Sequence, residues 1–291
     1  MKTDFNNNNL KLAIQKKGRL TDDTILFLEN AGLILDTDGQ RLFAKCRNYP
    51  LDIVFVRDDD IPDFVENSTV DIGIVGENIL YEKNSRVQKM LLLNFGYCRL
   101  VIAVQKDLPI SNIGDLNKSK ITTSYPRSVQ RFFNSQNIPV DILEVKGSVE
   151  LSPALGISSV VADLTSTGST LAICDLRIIE TIFESQAVLI SRTNINNRRQ
   201  GLIDSLIFRF KAFLEAQKYK YVMINAPEEK LEQITKIVPG LKSPTVTPLA
   251  IKGWISIQTA IQENVFWEKI EKIKEIGASG IIALPIEKLI I

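Results

Sequence analysis

Apolar residues fall in short blocks along this chain, and the spacing within each block indicates what it forms. "LKLAIQ" (10–15), "LDIVFV" (51–56) and "VDIGIV" (70–75) are nearly continuous apolar runs, the pattern of strands buried on both faces. After the turn "KKGRL", Thr21 precedes a helical pattern with Asp22 and Asp23 in its first turn and Gly32 beyond its end. That arrangement predicts a helix capped by Thr21. "DDDIPDFVEN" predicts the helix between the next two strands, and the resulting βαβ alternation predicts a mainly parallel sheet covered on both faces. A second set begins at "CRLVIAVQ" (98–105) and runs through "KITTSYP", the helix "SVQRFFNSQ" and "VDILEV". Next comes a strand ending near Val160 and Val161, and then "DLTSTGSTL" (163–171), with "LAICDL" reading as a helix start. "IIETIFE" and "AVLISR" are two more strand-like runs, followed by a long amphipathic helix from about residue 197 to 216. The chain is expected to return there to the first set, making two lobes with a cleft between them.

The last ~70 residues form a separate pattern. "YKYVMIN", "TVTPLA", "GWISIQTAI" and "SGIIALPI" read as strands. "PEEKLEQITKIV", with Pro227 at its start, and "ENVFWEKIEKIKEIG", ending at Gly277, read as helices. The order βαββαβ is that of the ferredoxin-like split βαβ unit. The expected divisions are a first lobe over 1–96, a second lobe over 97–184, a return to the first over 185–218 and an appended domain over 219–291.

Composition narrows the chemistry. At 291 residues, 45% hydrophobic and 24% charged, the chain can build the cores of two or three ordinary globular domains. A net charge of +1 argues against a nucleic-acid partner, so a polyanionic ligand must be met by local clusters. Cys46, Cys98 and Cys174 are odd in number and never in a C-x-x-C pair, which points to reduced thiols and away from structural zinc or a disulfide framework. The polar "MKTDFNNNNL" has an early acid, so no secretion signal is expected, and no apolar run reaches the ~18 residues of a membrane span. The expected location is the cytoplasm. The chain contains no histidine, which excludes Ser-His-Asp and Cys-His nucleophilic catalysis, imidazole proton transfer and His-ligated metals. Its chemistry needs little acid–base help or takes it from Asp, Glu, Lys or Tyr.

The candidate residues gather at strand ends. "DLTSTGSTL" crowds small hydroxyls and a glycine between a buried strand and a helix, a place where backbone N–H groups and the helix dipole can hold a phosphate. An ordinary capped turn has the same composition. "QKKGRL" sets Lys16, Lys17 and Arg19 around Gly18 after the first strand, either as a solvated basic turn or as a phosphate clamp. The three acids at 58–60 fit a helix N-terminus, or a metal or hydroxyl-rich ligand. Glu77 and Asn78 begin another helix pattern, Tyr125 ends a strand before a proline, and Glu150 caps a helix or meets a ligand.

Taken together and in this order, "LAIQKKGRL", "VRDDDIP", "VDIGIVGEN", "FGYCRL", "TSYP", "GSVEL" and "DLTSTGSTL" resemble the ATP phosphoribosyltransferase family, whose reaction opens histidine biosynthesis. The similarity is colinear from about Leu10 to "ALPIEKL", and "KYVMINAP", "PGLKSPTVTPLA" and "GASGIIALPIEK" resemble the long form of the family. The resemblance implies an α/β fold of two periplasmic-binding-protein-like lobes plus a C-terminal ferredoxin-like (ACT-like) domain, assembling as homodimers and homohexamers. It implies transfer of the phosphoribosyl group of 5-phosphoribosyl 1-pyrophosphate to N1 of ATP with Mg²⁺ present, the metal being held mainly by substrate phosphates, and feedback inhibition by histidine. Residue by residue, Asp163, Ser166, Thr167, Gly168, Ser169 and Thr170 match the phosphoribosyl loop. Lys17, Gly18, Arg19, Leu20, Glu77 and Tyr125 match the ATP site, with Arg19, Asp163 and Thr167 closest to the chemistry. Asn225, Ser243, Thr245 and Ala278 match the inhibitor site. In one departure, Ala162 stands where other phosphoribosyltransferases place a second acid before such a loop. In another, the segment between "GEN" and "LLLNFG" is shorter than in long-form members. A solute-binding protein of the same two-lobed fold and a phosphoribosyltransferase with another base as acceptor are the alternatives.

Overall fold

The apolar blocks become β1 (Leu10–Gln15), α1 (Arg19–Asn30), β2 (Leu35–Asp36), β3 (Phe43–Cys46), β4 (Leu51–Val56), α2 (Asp60–Glu66), β5 (Ile72–Gly76), α3 (Glu77–Lys83) and β6 (Gln88–Leu92). Then follow β7 (Cys98–Gln105), β8 (Lys120–Thr123), α4 (Pro126–Ser135), β9 (Asp141–Glu144), β10 (Val160–Thr165), α5 (Ser169–Ile173), β11 (Leu176–Ser185), β12 (Ala187–Ser191) and α6 (Asn197–Ala216). The chain closes with β13 (Tyr219–Pro227), α7 (Leu231–Ile237), β14 (Thr245–Pro248), β15 (Trp254–Gln262), α8 (Glu263–Glu275) and β16 (Ser279–Pro285). This computed structural model describes residues 8–36, 42–193 and 195–291. They divide into two compact units, one of residues 8–27 and 33–202, the other of residues 28–32 and 203–291.

The first unit holds two sheets. One has the order β2-β3-β4-β1-β5-β12-β6, the other β11-β7-β10-β8-β9. The first sheet is mixed, not mainly parallel: β4–β1 and β1–β5 are parallel, while β2–β3, β3–β4, β5–β12 and β12–β6 are antiparallel. Two physical causes account for this. The links between β2, β3 and β4 are too short for a parallel crossover, which needs about a dozen residues or more. β12 re-enters the sheet from the other direction, one residue after β11 has ended in the second sheet. Ala13, Val75, Val188 and Ile190 of the first sheet bury against Ile61 and Val65 of α2 and Ile79 and Leu80 of α3. In the second sheet Leu100, Ile102, Val104, Ile121 and Val160 pack on Val129 and Phe133 of α4. Phe133 is fully buried, so truncating it to Ala is worth about 3–5 kcal/mol of stability.

Three local expectations need correction. Helix α1 begins at Arg19, so Thr21 lies inside it: its N–H donates to the Gly18 carbonyl at 3.2 Å and its side chain is buried. The turn at Gly18 (φ +145°) starts the helix early, and Thr21 packs instead of capping. Strand β10 runs on through Asp163, Leu164 and Thr165, and α5 starts at Ser169, before "LAICDL". Pro227 ends β13, and a turn of 3₁₀ helix over Glu228–Lys230 precedes α7.

In the second unit the sheet order is β14-β15-β13-β16, antiparallel throughout, which is the expected βαββαβ topology. Val222, Ile224, Ala226, Ile255 and Ile257 point to one face and pack with Ile234 of α7 and Phe266 and Ile273 of α8.

Candidate active site

The carboxyl ends of β1, β4, β5, β8 and β10 converge, and the loops that follow them line one cleft of about 460 Å³ in the first unit. That volume is within the range of small-molecule sites, roughly 300–1,000 Å³. From the first sheet come Gln15, Arg19, Leu20, Asp23, Asp58, Gly76, Asn78 and Ile79. The second sheet contributes Cys98, Tyr125, Leu164, Thr165 and Ser166, with Gly96 and Tyr97 from the crossing chain. Parallel strands put their loops on one side, which is why ligands of such sheets gather there.

The basic turn is shaped by Gly18. A Cβ at this position would lie 2.7 Å from the Gln15 amide nitrogen, and the Gln15 amide donates to the Asp58 carboxylate at 3.1 Å. Gly18 thus lets the turn close over Gln15, and Arg19 and Leu20 enter the cleft on the first turn of α1. Lys16 and Lys17 are exposed beside it.

Hydroxyls tie up the loop after β10. Gly168 N–H donates to Thr165 Oγ1 at 2.8 Å, and Thr167 Oγ1 lies 3.0 Å from Ser169 Oγ. Gly168 has φ +82°, a left-handed conformation that costs other residues roughly 1–2 kcal/mol. Ser166, Thr167, Ser169 and Thr170 are exposed around it, and Ser166 reaches the cleft wall.

Two titratable groups here are strongly perturbed. Burial, assisted by the Glu150 carboxylate, pushes the Asp163 carboxyl from 3.8 up to about 6, although the Leu164 N–H, which donates to it at 2.8 Å, pulls the other way. Burial holds the Tyr125 phenol well above its usual range against the lowering effect of its hydrogen bond with Asn78, and the Asp163 and Asp58 carboxylates add to the rise. Burial raises the Cys98 thiol too, opposed by a hydrogen bond with Ser185 and by the Arg19 charge. Such shifts concentrate where proteins do chemistry.

Of the residues singled out in the sequence, Arg19, Leu20, Asp58, Asn78, Tyr125 and Ser166 line this one cleft, and Gly18, Asp163 and Thr167 are near neighbours of its lining along the chain. Glu77 does not line it: its carboxylate pairs with Lys89 at 2.8 Å beside Tyr81, and its neighbour Asn78 faces the cleft instead. Of the three consecutive acids, Asp58 reaches the cleft, while Asp59 precedes α2 and Asp60 begins it. Among the described residues no group of three or more His, Cys, Asp or Glu is placed to hold a metal. Gln15, Tyr97 and Cys98 were not singled out as cleft residues. Tyr97 and Cys98 stand at the amino end of β7, which runs antiparallel to β10, so a search at carboxyl ends passes over them.

In the second unit Asn225 lies opposite Ser256 on one side and Ser279 on the other, with Ala278 buried next to Ser279. Ser243 and Thr245 are exposed at the edge strand β14, and β15 separates them from Asn225.

The family model for ATP phosphoribosyltransferase matches residues 57–212, and that for its C-terminal domain matches residues 216–288. An ATP phosphoribosyltransferase of Parabacteroides distasonis is 42% identical, over 97% of this chain and the whole of the relative. One from Cytophaga hutchinsonii is 40% identical, over 97% of this chain and 98% of the relative. Among solved structures, a chain of the ATP phosphoribosyl transferase (HisG:HisZ) complex from Thermotoga maritima superposes with a TM-score of 0.60 at 27% identity, covering 69% of this chain and 96% of its own. With a family model spanning over half of its length and relatives matched nearly end to end, the chain belongs to the ATP phosphoribosyltransferase family, the first enzyme of histidine biosynthesis.

Proposed function

We propose that the chain joins the phosphoribosyl group of 5-phosphoribosyl 1-pyrophosphate to N1 of ATP, with release of pyrophosphate. One observation carries this reading: Arg19 and Leu20 of the first sheet's layer face Tyr125 and the hydroxyl loop of the second across one cleft. In this reaction the N1 lone pair forms the new bond to C1 of the ribose, while the bond from C1 to oxygen breaks and the pyrophosphate oxygen keeps its electrons. The attacking nitrogen already has its lone pair, so no strong base is required, which suits a chain without histidine. Catalysis is then positioning and electrostatics.

The roles follow from place and charge. Gly168 and the hydroxyls of Ser166, Thr167, Ser169 and Thr170 would cradle the 5-phosphate, with Thr167 nearest the reacting ribose. Asp163, ionised above pH 6 and half-buried, would face the ribose and the positive charge that grows on it. Lys17, Gly18, Arg19 and Leu20 would hold the nucleotide's phosphates, and Tyr125 with Asn78 would form the wall against its base. Glu77 would act from behind that wall.

The cleft also fits Mg²⁺. Its lining offers hard oxygens, Asp23 and Asp58 among them, and the half-buried Asp163 carboxylate, which accepts from the Leu164 N–H at 2.8 Å, stands one residue before the lining residue Leu164. An ion that keeps several oxygen ligands from elsewhere would be held there mainly by the substrate's phosphates. Bound there, the ion would neutralise the leaving pyrophosphate.

Incubation of the protein with ATP, phosphoribosyl pyrophosphate and Mg²⁺ should yield the ATP adduct by mass spectrometry and one pyrophosphate for each. Binding of both compounds without adduct would leave a solute-binding protein. Adduct only with another base would make it a different phosphoribosyltransferase. Arg19→Ala should lower kcat/KM at least tenfold while shifting stability by no more than about 0.5 kcal/mol, as for other exposed side chains. Kinetics equal to wild type for both substrates would return Arg19 to the solvent.

The second unit is proposed as the regulatory domain, inhibited by free histidine through Asn225, Ser243, Thr245 and Ala278. Dimers and hexamers in the cytoplasm would be its setting. Histidine must bind the less active state better to inhibit, since only differential affinity moves an equilibrium. Thr245→Val keeps the shape and removes one exposed hydroxyl, so it should weaken inhibition severalfold and leave uninhibited turnover alone. Undiminished inhibition would move the effector site off β14.

A further inference from the structure

Helix α4 lacks a cap of its own. Its N-cap residue, Tyr125, makes no side-chain cap hydrogen bond, and Pro126 at the first helical position has no N–H. The next two N–H groups still need acceptors, and in most helices a local Ser, Thr, Asp or Asn supplies one. Here both donate to a residue more than forty positions earlier. Arg127 N–H meets Glu82 Oε1 at 2.9 Å, and Ser128 N–H meets Glu82 Oε2 at 2.9 Å. One carboxylate, an oxygen to each donor, closes the helix end with charge-assisted bonds and favourable dipole interaction.

Glu82 belongs to α3, in the layer of the first sheet, whereas α4 packs on the second. The same helix makes further links to the second sheet's side. Asn78 accepts from Ser185 Oγ at 3.2 Å and donates its backbone N–H to that oxygen at 3.0 Å. The Tyr81 carbonyl accepts from the Arg131 guanidinium, and the Tyr81 ring lies 4.7 Å from that of Phe183. The Asn78 side chain also hydrogen-bonds Tyr125, and both line the cleft. Glu82 does not line it.

We propose that Glu82 is a positioning residue: by capping α4 from α3 it fixes Tyr125, the residue just before that helix, against Asn78 and so holds the two halves of the cleft wall together. The inference rests on the reading of Tyr125 as part of the nucleotide site. A helix that started freely would let its first turn fray, and Tyr125 would move with it. The Tyr81–Arg131 bond would remain, but it anchors the helix a turn and a half further on.

The test uses the full-length protein with fluorotyrosine incorporated, the Tyr125 resonance being identified by its loss in Tyr125→Phe. Glu82→Gln is nearly isosteric, removes the charge and turns an NH₂ towards one of the two donors. It should shift the Tyr125 resonance and speed hydrogen exchange at Arg127 and Ser128, with exchange in β8 and β10 unchanged. In kinetics the KM for ATP should rise about tenfold, the effect of losing a charge-assisted bond pair, with kcat at saturation within about twofold. Tyr125→Phe with Glu82→Gln should be little worse in KM than the worse single variant, because both act on one wall. Glu82→Asp keeps the charge but shortens the reach by a methylene, and it should give the same signature if the Gln variant does not fold. An unmoved Tyr125 resonance in a folded variant overturns the proposal, as does a fall in stability with KM for ATP unchanged. A wild-type protein with no ATP-dependent turnover would defeat the nucleotide reading alone, since the resonance and exchange measurements need no activity.

Discussion

Asp163→Asn should give a folded protein that turns over about a hundredfold more slowly, the scale of losing one preorganised electrostatic partner of a transition state. The wild-type carboxyl titrates at about 6, so kcat/KM should fall with a one-proton slope as pH drops below 6, and the Asn variant should lack that limb. Stability should move in the opposite sense. A carboxyl whose folded pKa is raised from 3.8 to about 6 holds its proton more tightly folded than unfolded. Below about pH 4 both states are protonated and nothing is lost. Between about 4 and 6 the native state becomes progressively less favoured, and above 6 the full penalty remains, up to about 3 kcal/mol before solvent screening. Asn carries no charge to bury, so the variant should melt higher than wild type at pH 7 and close to it at pH 4. Wild-type turnover in the variant would remove Asp163 from the chemistry. Equal melting at both pH values would mean the carboxyl is better solvated than its burial implies.

Gly168→Val should weaken binding of phosphoribosyl pyrophosphate at least tenfold, ~1.4 kcal/mol, with ATP affinity almost unchanged. The reason is conformational more than steric. A Cβ at Gly168 would meet Ile178 Cδ1 at 3.7 Å, an ordinary contact, but the backbone sits at φ +82°, which a β-branched residue strongly resists. The loop would open to relieve the strain, breaking the Gly168 N–H bond to Thr165 Oγ1 that closes the turn. Gly168→Asn tolerates the left-handed region better and should lose less. Calorimetric titration of both ligands against the two variants provides the comparison. Unaltered affinity in a folded Val variant would place the phosphate elsewhere.

Strands were the most legible part of the fold because their burial on both faces leaves a continuous apolar signature: β1, β4 and β7 lie where the apolar runs predict. Pairing direction was not legible. Strands β11 and β12 read as two similar runs, yet they belong to different sheets, and the single Gln186 between them carries no signal of the switch. Helix starts misled at α1, where the local turn at Gly18 begins the helix ahead of buried Thr21, and at α4, which begins at Pro126 with its cap supplied from Glu82. The candidate cleft was legible where an unusual local composition marks part of its wall, as at Arg19 and Leu20 of the basic turn and Ser166 of the hydroxyl loop. It was hidden where a plain residue enters from the amino end of an antiparallel strand, as Tyr97 and Cys98 do.

The position of β12 bears on how the chain is made. Strands β7 to β11 form an uninterrupted stretch of sequence and can assemble as soon as Ser185 has been synthesised. The first sheet cannot. Its β5 and β6 meet only through β12, and Leu93 N–H and the Phe95 carbonyl bond Ala187 where the two crossing chains run side by side. A nascent chain must therefore close a loop of roughly a hundred residues before the sheet begun first is finished, a slow step by the entropy of long loops. Until then β5 offers an open hydrogen-bonding edge of apolar sequence to the surroundings, the kind of edge that invites aggregation. Of the first unit's two sheets, the one begun first is completed last, and chains released before Ala187 should be the ones that chaperones retain.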